Sequence, residues 1–184
     1  MKTKAVIFDL DGTLLDSMHV WREVPYNWQR IEKGYRDEVV LKPGAYDFLE
    51  SLRQNNIRMV LATATDRCYV ETALHRNKGH GFFDAIFTCR EVGESKESPL
   101  IYHKALEFLQ NTQEMNIKKE DVWVFEDAYY AMNTAKNAGF KVAAVEDRWA
   151  DTLWKISADE ADEIMSRVDL YINDYRELKL CQLG

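Results

Sequence analysis

The chain reads as an α/β fold in which helices cover both faces of a parallel sheet, and three observations predict it. Short apolar runs alternate with stretches of helical periodicity, the pattern of strands joined by crossover helices. The helical stretches carry their own start and stop residues, Pro43 ahead of one and Gly139 behind another. At 184 residues and 46% hydrophobic content, the chain has enough apolar side chains for one sizeable core, so residues 1–184 are read as a single domain.

The first strand, Ala5 to Phe8, gives out into Asp9-Leu10-Asp11-Gly12-Thr13. A segment from about residue 16 to 42 then interrupts the rhythm as a small insertion. Within it Val24, Trp28, Ile31 and Tyr35 recur at helical spacing, which predicts one amphipathic helix from near Pro25 to Gly34, lying over the mouth of the site. The first full crossover helix follows Pro43 and carries Ala45, Phe48, Leu49 and Leu52. Further strands are predicted at Ile57 to Ala62, Ala85 to Thr88, Val122 to Phe125, Val142 to Val145 and Leu170 to Ile172. Between the fourth and fifth of the six strands, Ala131, Thr134, Ala135 and Ala138 mark a helix that stops at Gly139. Ligands in such folds sit beyond the carboxyl ends of the strands, so Asp9, Thr63 and Asp127 are expected to converge there.

The net charge of -7 argues against a nucleic-acid backbone or an anionic membrane as partner and suits cation binding. Cys68, Cys89 and Cys181 are too few and too irregularly spaced for a disulfide framework or a zinc site, which suggests a reducing compartment. The first residues look like a core strand rather than a signal peptide, and no apolar run approaches the roughly 18 residues that span a bilayer. The expectation is a soluble cytoplasmic protein, a monomer or weak homodimer.

Two carboxylates at i and i+2 of an extended chain point to one side, so Asp9 and Asp11 face one pocket while Phe8 and Leu10 turn inward. Gly12 lets the backbone come close to whatever fills it. Cleaving a phosphate monoester requires charge neutralisation, a positioned attacker and a proton for the leaving oxygen. Asp9 is the candidate nucleophile, and Asp11 the candidate acid and base. At an ordinary pKa of about 3.9, roughly one Asp11 in a thousand would hold a proton at pH 7, so its surroundings must raise that value. Thr63 and the backbone around Ala64 end a strand where a phosphoryl group can be cradled, and Lys96 supplies a cation for it. Glu126 and Asp127 end another strand and make, with Asp9, a hard oxygen site suited to Mg²⁺.

This ordered set resembles the haloacid dehalogenase superfamily, in its phosphatase and β-phosphoglucomutase-like branch. Asp9-Leu10-Asp11-Gly12-Thr13 matches the first motif, Thr63 the second, Lys96 the third and Glu126-Asp127 the fourth, while Asp16-Ser17 and the stretch Asp127 to Gly139 are also similar. The resemblance implies a three-layer, Rossmann-like core with a short helical cap, and a phosphatase acting through an aspartyl-phosphate on Asp9. It also implies that the backbone carbonyl of Asp11 joins Asp9 and the fourth-motif acids on Mg²⁺. The expected substrate, which the resemblance does not supply, is a small phosphorylated metabolite, and the short insertion leaves the mouth open to a bulkier phosphorylated substrate, including protein. The other readings are a sugar phosphomutase, which needs a lid to exclude water, and a catalytically silent binding protein on the same scaffold. Two departures stand out: Glu97 follows Lys96 where the family commonly has Pro, and the insertion is much shorter than the usual cap.

Other conspicuous residues have bland readings. His19 is expected in an exposed loop, and His75, His80 and His103 show no metal-ligand spacing. Trp21 and Trp28 are expected to seal the cap onto the core, and Trp149 and Trp154 to pack under the last helix. The run Asp159 to Glu163 reads as a solvated helix face.

Overall fold

The computed structural model describes residues 3–22, 25–111, 116–149 and 156–184. Its strands are β1 (Ala5–Phe8), β2 (Leu15–Asp16), β3 (Val40–Leu41), β4 (Arg58–Thr63), β5 (Ala85–Thr88), β6 (Val122–Glu126), β7 (Lys141–Val145) and β8 (Leu170–Ile172). Six of them form one sheet in the order β5-β4-β1-β6-β7-β8, and every neighbouring pair is parallel. All six predicted strands are present, with ends displaced by a single residue at most.

Among the described residues the α-helices are α1 (Met18–Trp21), α2 (Trp28–Asp37), α3 (Ala45–Gln54), α4 (Arg67–Arg76), α5 (Cys89–Val92), α6 (Leu100–Asn111), α7 (Tyr129–Asn137) and α8 (Ala158–Arg167). Alternate residues of each strand serve opposite faces. Val6, Phe8, Leu61 and Phe125 pack with Phe48 and Leu52 of α3 and Val70 of α4, whereas Ile7, Val60 and Val124 pack with Ile101 and Ala105 of α6 and Met132 of α7. Both faces of the sheet are therefore dry, which is why these strands are apolar throughout. The chain winds from β1 to β4 and β5 on one side, then crosses to β6, β7 and β8 on the other. That reversal puts a crevice beyond the carboxyl end of β1, where an open α/β sheet binds its ligand.

The inserted segment is held at its stem by the antiparallel pair β2 and β3, in which Leu15 faces Leu41 and Asp16 faces Val40. Its helix differs from the expected one at both ends. Asn27 caps the start by accepting from the Arg30 amide, and the helix runs through Gly34 to Asp37. Gly34 is a packing residue rather than a stop: a Cβ there would lie 2.5 Å from Cγ1 of Val20 on α1. Val24 lies outside the described residues. Pro43 also differs, sitting in a turn ahead of Gly44, whose positive φ of 79° forms the N-cap of α3. Gly139, with φ 86°, ends α7 as expected.

Trp21 does pack inward, edge-on to Tyr35 and Tyr69, but Trp28 is 58% exposed and seals nothing. His19 sits on α1 rather than in a loop, 3.9 Å from a Glu38 carboxylate oxygen. Trp149 lies under the Arg22 guanidinium at 4.6 Å, and Trp154 is outside the described residues. The acidic run forms the exposed face of α8. No helix among the described residues is long and apolar enough to cross a membrane.

Candidate active site

Parallel pairing of β1 with β6 sets Phe8 beside Phe125, and the Asp9 amide donates to the Phe125 carbonyl at 2.9 Å. Asp9 thus emerges level with Glu126, the last residue of β6, and Asp127 just after it. Thr63 ends β4 on the other side of β1. Lys96 comes from the loop between α5 and α6 and is 2% exposed. The Glu97 that follows it does not keep it from the site.

The Lys96 ammonium donates to Asp9 Oδ1 and, at 2.6 Å, to Glu126 Oε1. The Tyr102 hydroxyl donates to the same Glu126 oxygen at 2.7 Å. Asp127 Oδ1 accepts from the Thr13 hydroxyl at 3.0 Å, while Asp127 Oδ2 and Glu126 Oε2 are buried with no partner. Gly12 makes this crowding possible: with φ at 79°, a Cβ on it would fall 2.2 Å from Asp127 Oδ2. Three buried carboxylates therefore face one ammonium.

Burial pushes Asp127 well above the usual carboxylate range, and the charges of Asp9, Glu126 and Asp147 add to it against the opposing Lys42. Burial also raises Glu126, with Lys96 opposing and Asp9 assisting. For Lys96, burial works against the charged form, but Asp9 and Glu126 outweigh it and hold the ammonium protonated. An excess of buried negative charge with orphaned oxygens is costly unless a cation joins it. Oxygens of Asp9, Glu126 and Asp127 lie within 4.8 Å of one another, an all-carboxylate set that fits a hard divalent ion such as Mg²⁺.

Asp11 stands at the other side of the crevice. The Tyr35 hydroxyl donates to its Oδ1 and the Thr65 hydroxyl to its Oδ2, and the Trp21 indole N–H donates to the Tyr35 oxygen at 2.9 Å. Desolvation raises the Asp11 pKa, the nearby hydroxyls of Ser17, Thr65 and Tyr35 pull it down, and the Asp9 charge adds a smaller upward push. Thr63 turns its hydroxyl to the Thr65 amide at 3.1 Å, shaping the turn that ends β4, and Ala64 lines the crevice beside it.

A cavity of about 210 Å³ joins all the sequence-predicted residues: Asp9, Asp11, Thr63, Ala64, Lys96, and the pair Glu126 and Asp127. Sequence reasoning missed Tyr35, Thr65 and Tyr102, and it held Thr13 within the first motif without giving it a role. Thr65 had a signal, two residues beyond Thr63 on the same strand-end turn. Tyr102 and Tyr35 carried only the apolar spacing of their helices.

The haloacid dehalogenase-like hydrolase family matches residues 22–145. Among curated proteins, protein CbbY of Cereibacter sphaeroides is 32% identical over 107 residues, 56% of this chain and 44% of that protein, so the chain spans under half of its length in that match. The pyrophosphatase PpaX of Bacillus thuringiensis is 24% identical over 187 residues, covering 79% of this chain and 84% of that protein. Among solved structures, CbbY from Rhodobacter sphaeroides in complex with xylulose-(1,5)bisphosphate superposes with a TM-score of 0.77 at 20% identity over 99% of both chains. A putative β-phosphoglucomutase from Thermotoga maritima gives 0.72 at 20% identity over 96% of both. At such identities the likeness speaks for the fold.

Proposed function

The chain belongs to the haloacid dehalogenase-like hydrolases, and from that premise we propose that it is a Mg²⁺-dependent phosphomonoesterase working through an aspartyl-phosphate on Asp9. The observation that carries this reading is the buried Lys96 held between Asp9 and Glu126, beside an Asp127 oxygen without a partner. Asp9, Asp127 and the Asp11 carbonyl would hold the metal with Glu126 beside them, and the ion would neutralise phosphoryl charge there.

An Asp9 oxygen bonds to phosphorus as the bond from phosphorus to the ester oxygen breaks. Lys96 holds Asp9 in place and offsets phosphoryl charge, whose other contacts are the backbone amides around Ala64. Asp11 gives its proton to the departing oxygen, and its raised pKa keeps a larger protonated fraction available than a free aspartate would have. Tyr35 and Thr65 aim that carboxyl group. Water then attacks the aspartyl-phosphate, its proton passes to Asp11, and phosphate leaves with Asp9 restored.

Hydrolysis is favoured over mutase chemistry by the mouth of the cavity, where Tyr26 is 49% exposed and water has access. The relatives' names span a pyrophosphatase and a protein solved with a sugar bisphosphate, so the substrate proposed at this level is a small phosphorylated metabolite. Incubation with Mg²⁺ and a panel of phosphate esters tests the reading. Release of inorganic phosphate is expected, and rearranged ester without free phosphate would favour a mutase.

A further inference from the structure

Chemically, the outer end of the cavity is unlike the inner end. Trp21 and Tyr26 line it, both contributed by the inserted segment. Lys96 is the only Lys or Arg among the described residues that line the cavity, and both neighbouring carboxylates already hold it. A substrate with a second anionic group, a carboxylate or another phosphate, would bring that charge to an acidic site whose one further counter-charge, the Mg²⁺ of the phosphatase reading, is engaged by the reacting phosphoryl group.

Sugars fare no better. Trp21 points its one N–H to Tyr35, so among the described residues this lip keeps the Tyr26 hydroxyl to pair with several sugar hydroxyls, and a hydroxyl buried there without a partner is penalised. What the lip does present is ring surface. Trp21 and Tyr26 meet edge to face at 5.7 Å and 89°, and Tyr26 tilts against Trp28 at 5.8 Å. The outer two rings are about half exposed, where aromatic side chains are ordinarily well covered. The cavity of about 210 Å³ also exceeds the ~150 Å³ that suffices for benzene, leaving room for a phosphoryl group with a ring reaching Tyr26.

We propose that the alcohol part of the substrate is an uncharged aromatic ring, joined to phosphate by a short alkyl or aryl oxygen link; this rests on the phosphatase reading above. The test is kcat/KM in Mg²⁺ for benzyl phosphate, cyclohexylmethyl phosphate, glycerol 3-phosphate and phosphoglycolate, all esters of alcohols without an activated leaving group. Benzyl phosphate is expected to lead glycerol 3-phosphate and phosphoglycolate by about tenfold or more, and cyclohexylmethyl phosphate by about threefold. In Tyr26→Ala, altered at a half-exposed position, the benzyl to glycerol ratio is expected to fall to within about threefold of one. A wild-type ratio at or below one, or a ratio unchanged in Tyr26→Ala, overturns the proposal while phosphate release from any ester keeps the phosphatase reading. No phosphate release from any ester overturns that reading, and the proposal with it.

Discussion

The two ends of the cavity are built by different parts of the chain under different constraints. At the inner end, Asp9, Glu126 and Asp127 follow directly from buried parallel strands, and the Lys96 ammonium locks two of them together. At the outer end, the rings of Trp21, Tyr26 and Trp28 come from the short insertion, with two of the three half in solvent. On the proposed reading the sheet carries the chemistry and the insertion the discrimination. One residue crosses between them: Tyr35 belongs to the insertion yet donates to Asp11.

If that division holds, inner-end changes should cut turnover of every ester alike. The largest expected effect is Asp9→Asn, which should lower kcat by at least about 10⁴-fold on all substrates. Selective survival of one ester would break the comparison. Next, Lys96→Met should cost about 10²- to 10³-fold in kcat. It should also destabilise the metal-free protein by about 3 kcal/mol in urea titration, because it strands two buried carboxylates.

Tyr35→Phe sharpens the boundary. With the hydroxyl gone, Asp11 is less well aimed, so kcat/KM for alkyl phosphates should fall about tenfold. For 4-nitrophenyl phosphate, whose leaving group needs no proton, it should fall by less than about twofold. Equal losses on both would assign Tyr35 to packing alone.

The smallest effect concerns stability. Burial raises the folded-state pKa of Asp127 above its unfolded value of about 3.9, so the folded state binds the extra proton. Its contribution to stability is complete below that unfolded value and is lost as pH rises through the folded one. On the proposed reading Mg²⁺ would bind the ionised form and reverse the loss, with affinity increasing as pH rises. In EDTA at pH 7.5, Asp127→Asn should melt higher than wild type, by about 2–4 °C for each kcal/mol recovered. Added Mg²⁺ should raise Tm in the wild type and much less in the variant.

How much of this was legible beforehand follows the same division. The six sheet strands and the strand-end acids depend on local periodicity and short motifs, and they stand where the sequence put them. Gly34 was misread as a helix stop because glycine punctuates chains, and only the neighbouring Val20 shows that its missing side chain serves close packing. Tyr102 reaches Glu126 across 24 residues and Tyr35 reaches Asp11 across the same separation, contacts fixed by how helices dock rather than by spacing. The two-residue strands β2 and β3 are too short to leave a pattern. Trp28 went astray because an exposed indole cannot be told from a buried one by residue type.

The central claim is a covalent bond from phosphorus to Asp9. Acid quench of the enzyme while it turns over a phosphate ester in Mg²⁺, then borohydride reduction and peptide mass spectrometry, examines it directly. The account predicts homoserine at position 9, dependent on both Mg²⁺ and ester. Unaltered aspartate there, in enzyme quenched during turnover under conditions that convert the aspartyl-phosphate of a known phosphoenzyme, would contradict it.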